Sequence, residues 1–257
     1  MKSGYSFLAV LSSLAVHSAA LTLAAVKPPA FFLAGDSTTA VQSTGGGGWG
    51  SGFLNTTLKN GATGKNFGHN GATTVSFREG GDWANVLKAA KAAVPSYVPY
   101  VTIQFGHNDQ KPAKNISMAE FTANLVAFVK EVRAIPATPI LVTSLSRRKF
   151  SSSTNQVSLS LADVTAATKD AAAKSGAAII DLNTASTNYL NKIGATNAAT
   201  YNLNADDFTH LNDEGSVVFG NMVAMLIDAE IPSVQKYVVP RADVAKAIKD
   251  GKYIFTL

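Results

Sequence analysis

The sequence predicts a three-layer α/β/α sandwich built on a five-stranded parallel sheet. Three observations carry that expectation. From residue 30 onward, short apolar runs alternate with stretches of helical periodicity, the pattern of successive strand–helix units. Glycine and polar residues follow several of those runs directly, where a parallel strand hands over to its helix and where open sheets bind ligands. No internal repeat or linker breaks the alternation, so residues 26–257 read as a single domain.

The first strand is Phe31-Phe32-Leu33-Ala34, an apolar run closed by Gly35, a small residue where the chain must turn sharply. Asp36-Ser37-Thr38 then suits a helix N-terminus, where free N–H groups and the helix dipole favour negative charge. A serine hydroxyl there lies beside ready donors for an oxyanion, as acyl transfer requires. Simple helix capping by Asp36 and Ser37 explains the same residues. The stretch is not Gly-x-Ser-x-Gly, so the usual nucleophile-elbow signature is absent.

Residues 44–50 contain four consecutive glycines and no following Gly-Lys-Ser/Thr, so they form a tight loop and not a phosphate cradle. Trp49 suits either a core anchor for this loop or a platform for a sugar ring. A short helix is expected over residues 51–59 and a second strand over 65–70. Gly71 follows as a turn glycine, or as a backbone donor facing the same cleft as Ser37. Arg78-Glu79-Gly80 leads into a helix over 82–94 with Val86, Leu87 and Ala90 on one face. Residues 100–105, YVTIQF, form the third strand and end in Gly106-His107-Asn108-Asp109. Asn108 can aim its amide at a developing oxyanion or simply bind the turn.

A helix over 117–134 stops near Pro136, and a fourth strand over 139–143 leads to Ser146-Arg147-Arg148-Lys149. A polar loop at 151–155, a helix over 157–175 and a fifth strand over 177–182 complete the sheet. Residues 183–204 are rich in Asn, Thr and Ala and show no readable chemistry. Helices are expected again over 213–229 and 241–249. Between them and the fifth strand lies Asp206-Asp207-Phe208-Thr209-His210. Asp207 stands three residues before His210, a spacing at which a carboxylate can hold the imidazole's tautomer in a turn.

Composition narrows the function. The 257 residues are 46% hydrophobic and 15% charged, as expected of a globular chain with an ample core. Cysteine is absent, which excludes disulfides, thiolate nucleophiles and cysteine-ligated zinc. His69, His107 and His210 lack metal-ligand spacing, and neither metal nor cofactor is expected. Residues 1–25 read as a signal peptide: Lys2, an apolar stretch over 7–16, then small residues that allow cleavage after Ala20 or Ala25. The apolar stretch is shorter than the ~20 residues a span needs, so secretion to the extracellular space is expected, without a membrane anchor. Asn55-Thr56-Thr57 and Asn115-Ile116-Ser117 are glycosylation sequons in that setting. The formal charge of +5 suits an anionic partner, yet no basic run beyond Arg147-Arg148-Lys149 points to nucleic acid. A monomer is expected.

Taken in order, Gly-Asp-Ser, the turn Gly71, Gly-x-Asn-Asp and Asp-x-x-His resemble the four blocks of the SGNH (GDSL-type) hydrolase superfamily over nearly all of the chain after residue 26. The resemblance implies a flavodoxin-like sheet, Ser37 as nucleophile, His210 as base and Asp207 as its orienting acid. It implies an oxyanion hole made by the backbone N–H groups of Ser37 and Gly71 and the Asn108 side chain. Within that superfamily, Gly48-Trp49-Gly50, Arg78-Glu79-Gly80, Gly106-His107-Asn108-Asp109, Ser146-Arg147-Arg148 and Asp207-Phe208-Thr209-His210 resemble rhamnogalacturonan acetylesterases. The chain departs from them in lacking cysteine and in reading Asn70-Gly71-Ala72-Thr73 where Ala-Gly-Arg-Ser is usual. An acetylated acidic polysaccharide is the substrate so implied, with Trp49, Arg78, His107, Arg147 and Arg148 as candidate binding residues. An esterase of other specificity, acting on acetylated xylan, lipids or small esters, is the alternative.

Overall fold

Strand β1 (Pro29–Gly35) shows how the layers are made. In the computed structural model, which describes Met1 and residues 27–255, every residue of β1 is buried. Successive side chains of a strand point to opposite faces. Phe31 and Leu33 enter one apolar cluster, while Ala30, Phe32 and Ala34 enter another. A strand covered on both faces needs apolar residues at every position, which is why it reads as an unbroken run.

Four more strands extend the sheet: β2 (Thr63–Asn66), β3 (Val98–Gln104), β4 (Thr138–Val142) and β5 (Ala178–Ile180). Their order is β2-β1-β3-β4-β5, with every pair parallel. One face is covered by α1 (Gly50–Thr57), α6 (Leu182–Ala199), α7 (Asp213–Glu230) and α8 (Ala242–Asp250), through Phe53, Leu190, Phe219 and Val244. The other is covered by α2 (Thr74–Glu79), α3 (Asp82–Ala93), α4 (Met118–Arg133) and α5 (Ala162–Ser175), through Phe77, Trp83, Phe128 and Val164. The expected three layers and five parallel strands are therefore present.

Several local expectations are corrected. No regular helix follows Ser37; residues 37–39 make one turn, with Thr39 and Ala40 N–H donating to the Asp36 carbonyl, and the first helix begins at Gly50. Regular pairing of β2 ends at Asn66, although Phe67 and His69 N–H still donate to the Leu33 and Gly35 carbonyls. Gly35 is needed for contact and not for its turn: a Cβ there would clash with Thr39 Oγ1 and lie 2.8 Å from the Gln104 carbonyl oxygen. Helix α5 starts at Ala162 because residues 157–161 are held otherwise, Val157 N–H donating to Asn191 Oδ1. Helix α6, kinked at Gly194, occupies most of the Asn/Thr/Ala-rich stretch for which the sequence predicts no element. Its Asn and Thr residues are weak helix formers, but Leu182, Tyr189, Leu190 and Ile193 are buried and Asp181 caps its start.

Residues 1–25, expected as a signal peptide, lie outside the described residues apart from Met1. Among the described residues no helix is long and apolar enough to cross a membrane.

Candidate active site

The strand order reverses at β1, whose two neighbours, β2 and β3, are reached by crossovers on opposite faces. Open α/β sheets bind ligands beyond the strand ends at such a point. Ser37 follows β1 there, and Asn108 follows β3. The turn that carries Ser37 is fixed from below. Asp36 is fully buried, and its Oδ1 accepts from the Thr38 N–H (2.9 Å) and hydroxyl (2.7 Å). Gln104, at the end of β3, donates to Thr38 Oγ1 and accepts from the Trp49 indole N–H. Capping and catalysis are thus not rivals: Asp36 caps the turn and so holds the Ser37 side chain outward.

His210 Nε2 lies 2.7 Å from Ser37 Oγ, across 173 residues of chain. Its Nδ1 lies 2.8 Å from Asp207 Oδ2. The other carboxylate oxygen of Asp207 accepts from the Thr209 and His210 N–H groups at 3.0 and 2.9 Å, which closes the loop into a tight turn. Burial pushes the Asp207 carboxyl up, but these backbone donors and the His210 ring outweigh it and hold it below the usual carboxylate range. Asp206 is exposed and takes no part. Two residues past His210, the Asn212 side chain accepts from Gly215 N–H and caps α7, which anchors the loop to a long buried helix.

Asn108 Nδ2 donates to the Ala72 carbonyl (3.0 Å), and its Oδ1 accepts from Lys111 Nζ (2.7 Å). The amide is therefore held in one orientation, with its second N–H left over. Ser37 and Gly71 N–H make no hydrogen bond among the described residues. Gly71 has φ +78°, a conformation that favours glycine, and a Cβ there would meet nothing within 4 Å.

The candidate substrate residues divide. Trp49 is fully buried, so it anchors the glycine loop and is not a sugar platform. Arg148 is corrected as well. It is 2% exposed, and its guanidinium donates to Asn202 Oδ1 (2.6 Å) and to the His210 (2.6 Å) and Asp207 carbonyls. It pins the Asp207–His210 loop from inside, and burial pulls its pKa down to about 9 against the pull of Asp207. Arg78 is engaged by Glu131 at 2.9 Å and lies over the Phe128 ring. His107 is buried, 3.7 Å from Asp36, as a wall beneath the cleft. Arg147 alone reaches the open surface beside His210. It donates to Thr209 Oγ1 and Ser160 Oγ and lines a depression of about 620 Å³ with Lys149, Asp206, Phe208 and His210. Lys149 and the exposed ring of Phe208 were not singled out from the sequence as binding residues; their signal was adjacency to Arg147 and to His210. Gln104 and Lys111 carried no motif at all.

Residues 33–218 match the GDSL-like lipase/acylhydrolase family. The chain belongs to that family. A stretch of 127 residues is 35% identical to the rhamnogalacturonan acetylesterase RhgT of Bacillus subtilis (strain 168), covering 48% of this chain and 52% of that protein. The match thus spans about half the length of that curated relative. Among solved structures, the Bacillus subtilis protein YXIM superposes with a TM-score of 0.68 at 24% identity over 79% of this chain and 57% of its own. Axe2, an acetylxylan esterase from Geobacillus stearothermophilus, superposes with a TM-score of 0.57 at 19% identity over 80% and 94%. At such identities these two structures speak for the fold alone.

In this GDSL-like lipase/acylhydrolase chain, the Asp of the Gly-x-Asn-Asp block does a structural job. Asp109 Oδ1 accepts from the Thr74 N–H (2.8 Å) and hydroxyl (2.7 Å), which ties the start of α2 to the end of β3. Its Oδ2 is buried without a hydrogen-bond partner among the described residues. Burial and the neighbouring Asp36 charge outweigh the Thr74 bonds and raise its pKa from 3.8 to about 6. An acid with a raised folded pKa holds its proton more tightly when folded. The contribution of Asp109 to stability is therefore greatest at low pH and falls as pH rises from about 4 through 6, by up to about 3 kcal/mol. Asp109→Asn keeps an oxygen for Thr74 and removes the buried charge. It is expected to raise stability at pH 7 by about 1–2 kcal/mol and to change little at pH 4, read from urea midpoints at the two pH values.

Proposed function

We propose that the chain is a secreted serine carbohydrate esterase that removes acetyl groups from plant cell-wall polysaccharide, with rhamnogalacturonan as the substrate. The observation that carries the chemistry is the unbroken hydrogen-bond chain from Ser37 Oγ through His210 to Asp207. Ser37 Oγ attacks the acetyl carbonyl carbon while His210 Nε2 takes its proton. The carbonyl oxygen becomes an oxyanion held by the Ser37 and Gly71 N–H groups and the free N–H of Asn108. The carbon–oxygen bond to the sugar then breaks, and His210 returns the proton to the leaving hydroxyl. Water, deprotonated by the same imidazole, attacks the acetyl carbon; the carbon–Ser37 Oγ bond breaks, acetate leaves and His210 returns the proton to Ser37 Oγ. Asp207 stabilises the imidazolium formed in each half.

The pectin reading rests on the likeness to RhgT, a rhamnogalacturonan acetylesterase, and on the basic wall of the 620 Å³ depression. Arg147 and Lys149 suit a sugar carboxylate, and the Phe208 ring suits the apolar face of a sugar. Secretion rests on the composition of residues 1–25, and both sequon asparagines, Asn55 and Asn115, are exposed as glycosylation would require. The protein acts as a monomer, without cofactor or metal, and without binding nucleic acid or membrane. The test is acetate release from acetylated rhamnogalacturonan and from acetylated xylan by the purified protein. Release from the pectic polymer is expected to dominate. Release from xylan alone replaces the substrate, and release from neither, nor from any small acetate ester, overturns the esterase reading.

A further inference from the structure

A second histidine–carboxylate pair stands on the other side of the nucleophile. His69 Nδ1 lies 2.6 Å from Asp82 Oδ2. The His69 side chain is 59% exposed, and its Nε2 makes no hydrogen bond among the described residues. Both residues line a cavity of about 480 Å³ with Ala40, Val41, Phe67 and Asn70. Ala40 and Val41 come three and four residues after Ser37, and His69 N–H donates to the carbonyl of Gly35, two residues before it. In sheet order this cavity flanks Ser37 on the β2 side, whereas Arg147 and Phe208 flank it on the β4 side.

We propose that the cavity holding His69 and Asp82 is a subsite for an uncharged sugar residue of the polymer, with His69 Nε2 hydrogen-bonded to a ring hydroxyl. This rests on the esterase reading above for its substrate. The surface carries what a sugar needs. Val41 is 58% exposed and gives an apolar floor for the C–H face, beside the half-buried Phe67 ring, over which the Lys65 ammonium lies at 4.8 Å. With Nδ1–H committed to Asp82, a neutral His69 presents Nε2 as an acceptor, and a protonated one presents it as a donor. A hydroxyl answers both states. A sugar carboxylate answers only the second, and it would meet the Asp82 charge beside it. The cationic wall on the far side of Ser37 suits the acid instead. A chain crossing both cavities therefore lies in one direction, charged residue toward Arg147 and uncharged residue toward His69.

The variant is His69→Ala, at an exposed position where folding is not at issue. Removing one hydrogen bond of ordinary strength is expected to raise KM for acetylated rhamnogalacturonan about five- to tenfold. Its kcat, and kcat/KM for 4-nitrophenyl acetate, which is too small to reach the cavity, are expected to stay unchanged. Asp82→Asn is expected to give a smaller rise of the same kind. An unchanged polymer KM, or equal loss on polymer and small ester, overturns the proposal. Failure of the esterase reading is a separate result, since it shows as no acetate release by the unaltered protein. In that event the subsite is decided by binding. Titration with a deacetylated rhamnogalacturonan oligosaccharide should shift the His69 ring protons in the NMR spectrum, and their constancy at saturation removes the subsite.

Discussion

Ser37→Ala is expected to lower kcat for acetate-ester hydrolysis by about 10⁴-fold or more while leaving the fold intact. In the proposed mechanism this hydroxyl forms the acyl bond, and among the described residues its sole side-chain partner is His210 Nε2. The Asp36 caps, the Gln104 network and the Gly47 N–H on the Ser37 carbonyl do not use it. The variant should therefore melt within a few degrees of the parent, by circular dichroism. The remaining imidazole and oxyanion donors can still assist direct attack by water, which sets a residual rate above background. Activity of the variant close to that of the parent would sink the acyl-enzyme mechanism.

The second large effect is at Asp207. Asp207→Asn is expected to lower kcat by about 10⁴-fold with little change in KM. The reason is local. One carboxylate oxygen is bound by the Thr209 and His210 N–H groups, a place only an oxygen can fill. The amide nitrogen of an asparagine is thereby forced into the position facing His210 Nδ1. An NH2 there makes Nδ1 the acceptor and puts the ring proton on Nε2, pointing at Ser37 Oγ. The imidazole can then no longer accept the serine proton. Proton signals of the His210 ring, followed by NMR, check the tautomer directly, and an unchanged tautomer or near-parental kcat contradicts the argument. In the parent the same carboxyl is held ionised well into the acid range by those donors, so the base stays oriented there.

The strand–helix alternation was legible because burial on both faces demands unbroken apolar runs, as in β1, and because α4 and α7 carry long apolar faces. Helix α6 was not, since its Asn and Thr content opposes helix propensity and only packing of Tyr189 and Leu190 makes it form. The site was legible where its chemistry needs a fixed residue type: a hydroxyl, an imidazole, a carboxylate three residues before it, an amide. It was misread where one residue type serves two ends. Arg148 and Arg147 are neighbours in the same basic run, yet one is buried under the catalytic loop and the other lies open beside it. Trp49 likewise satisfies its N–H on Gln104, a residue without a motif of its own.

From the chain alone came the layered α/β class, the candidate reacting groups and their order. These follow from hydrophobic period and from chemical necessity, which act over a few neighbouring residues. Only the tertiary structure decided which charges are structural, what holds Asn108 in one orientation, and that a second histidine–carboxylate pair lines a cavity of its own next to Ala40 and Val41. Those outcomes depend on contacts between strand ends far apart in sequence. Burial there turns Arg148 into a clamp, while its half-buried neighbour Arg147 lines the depression beside His210.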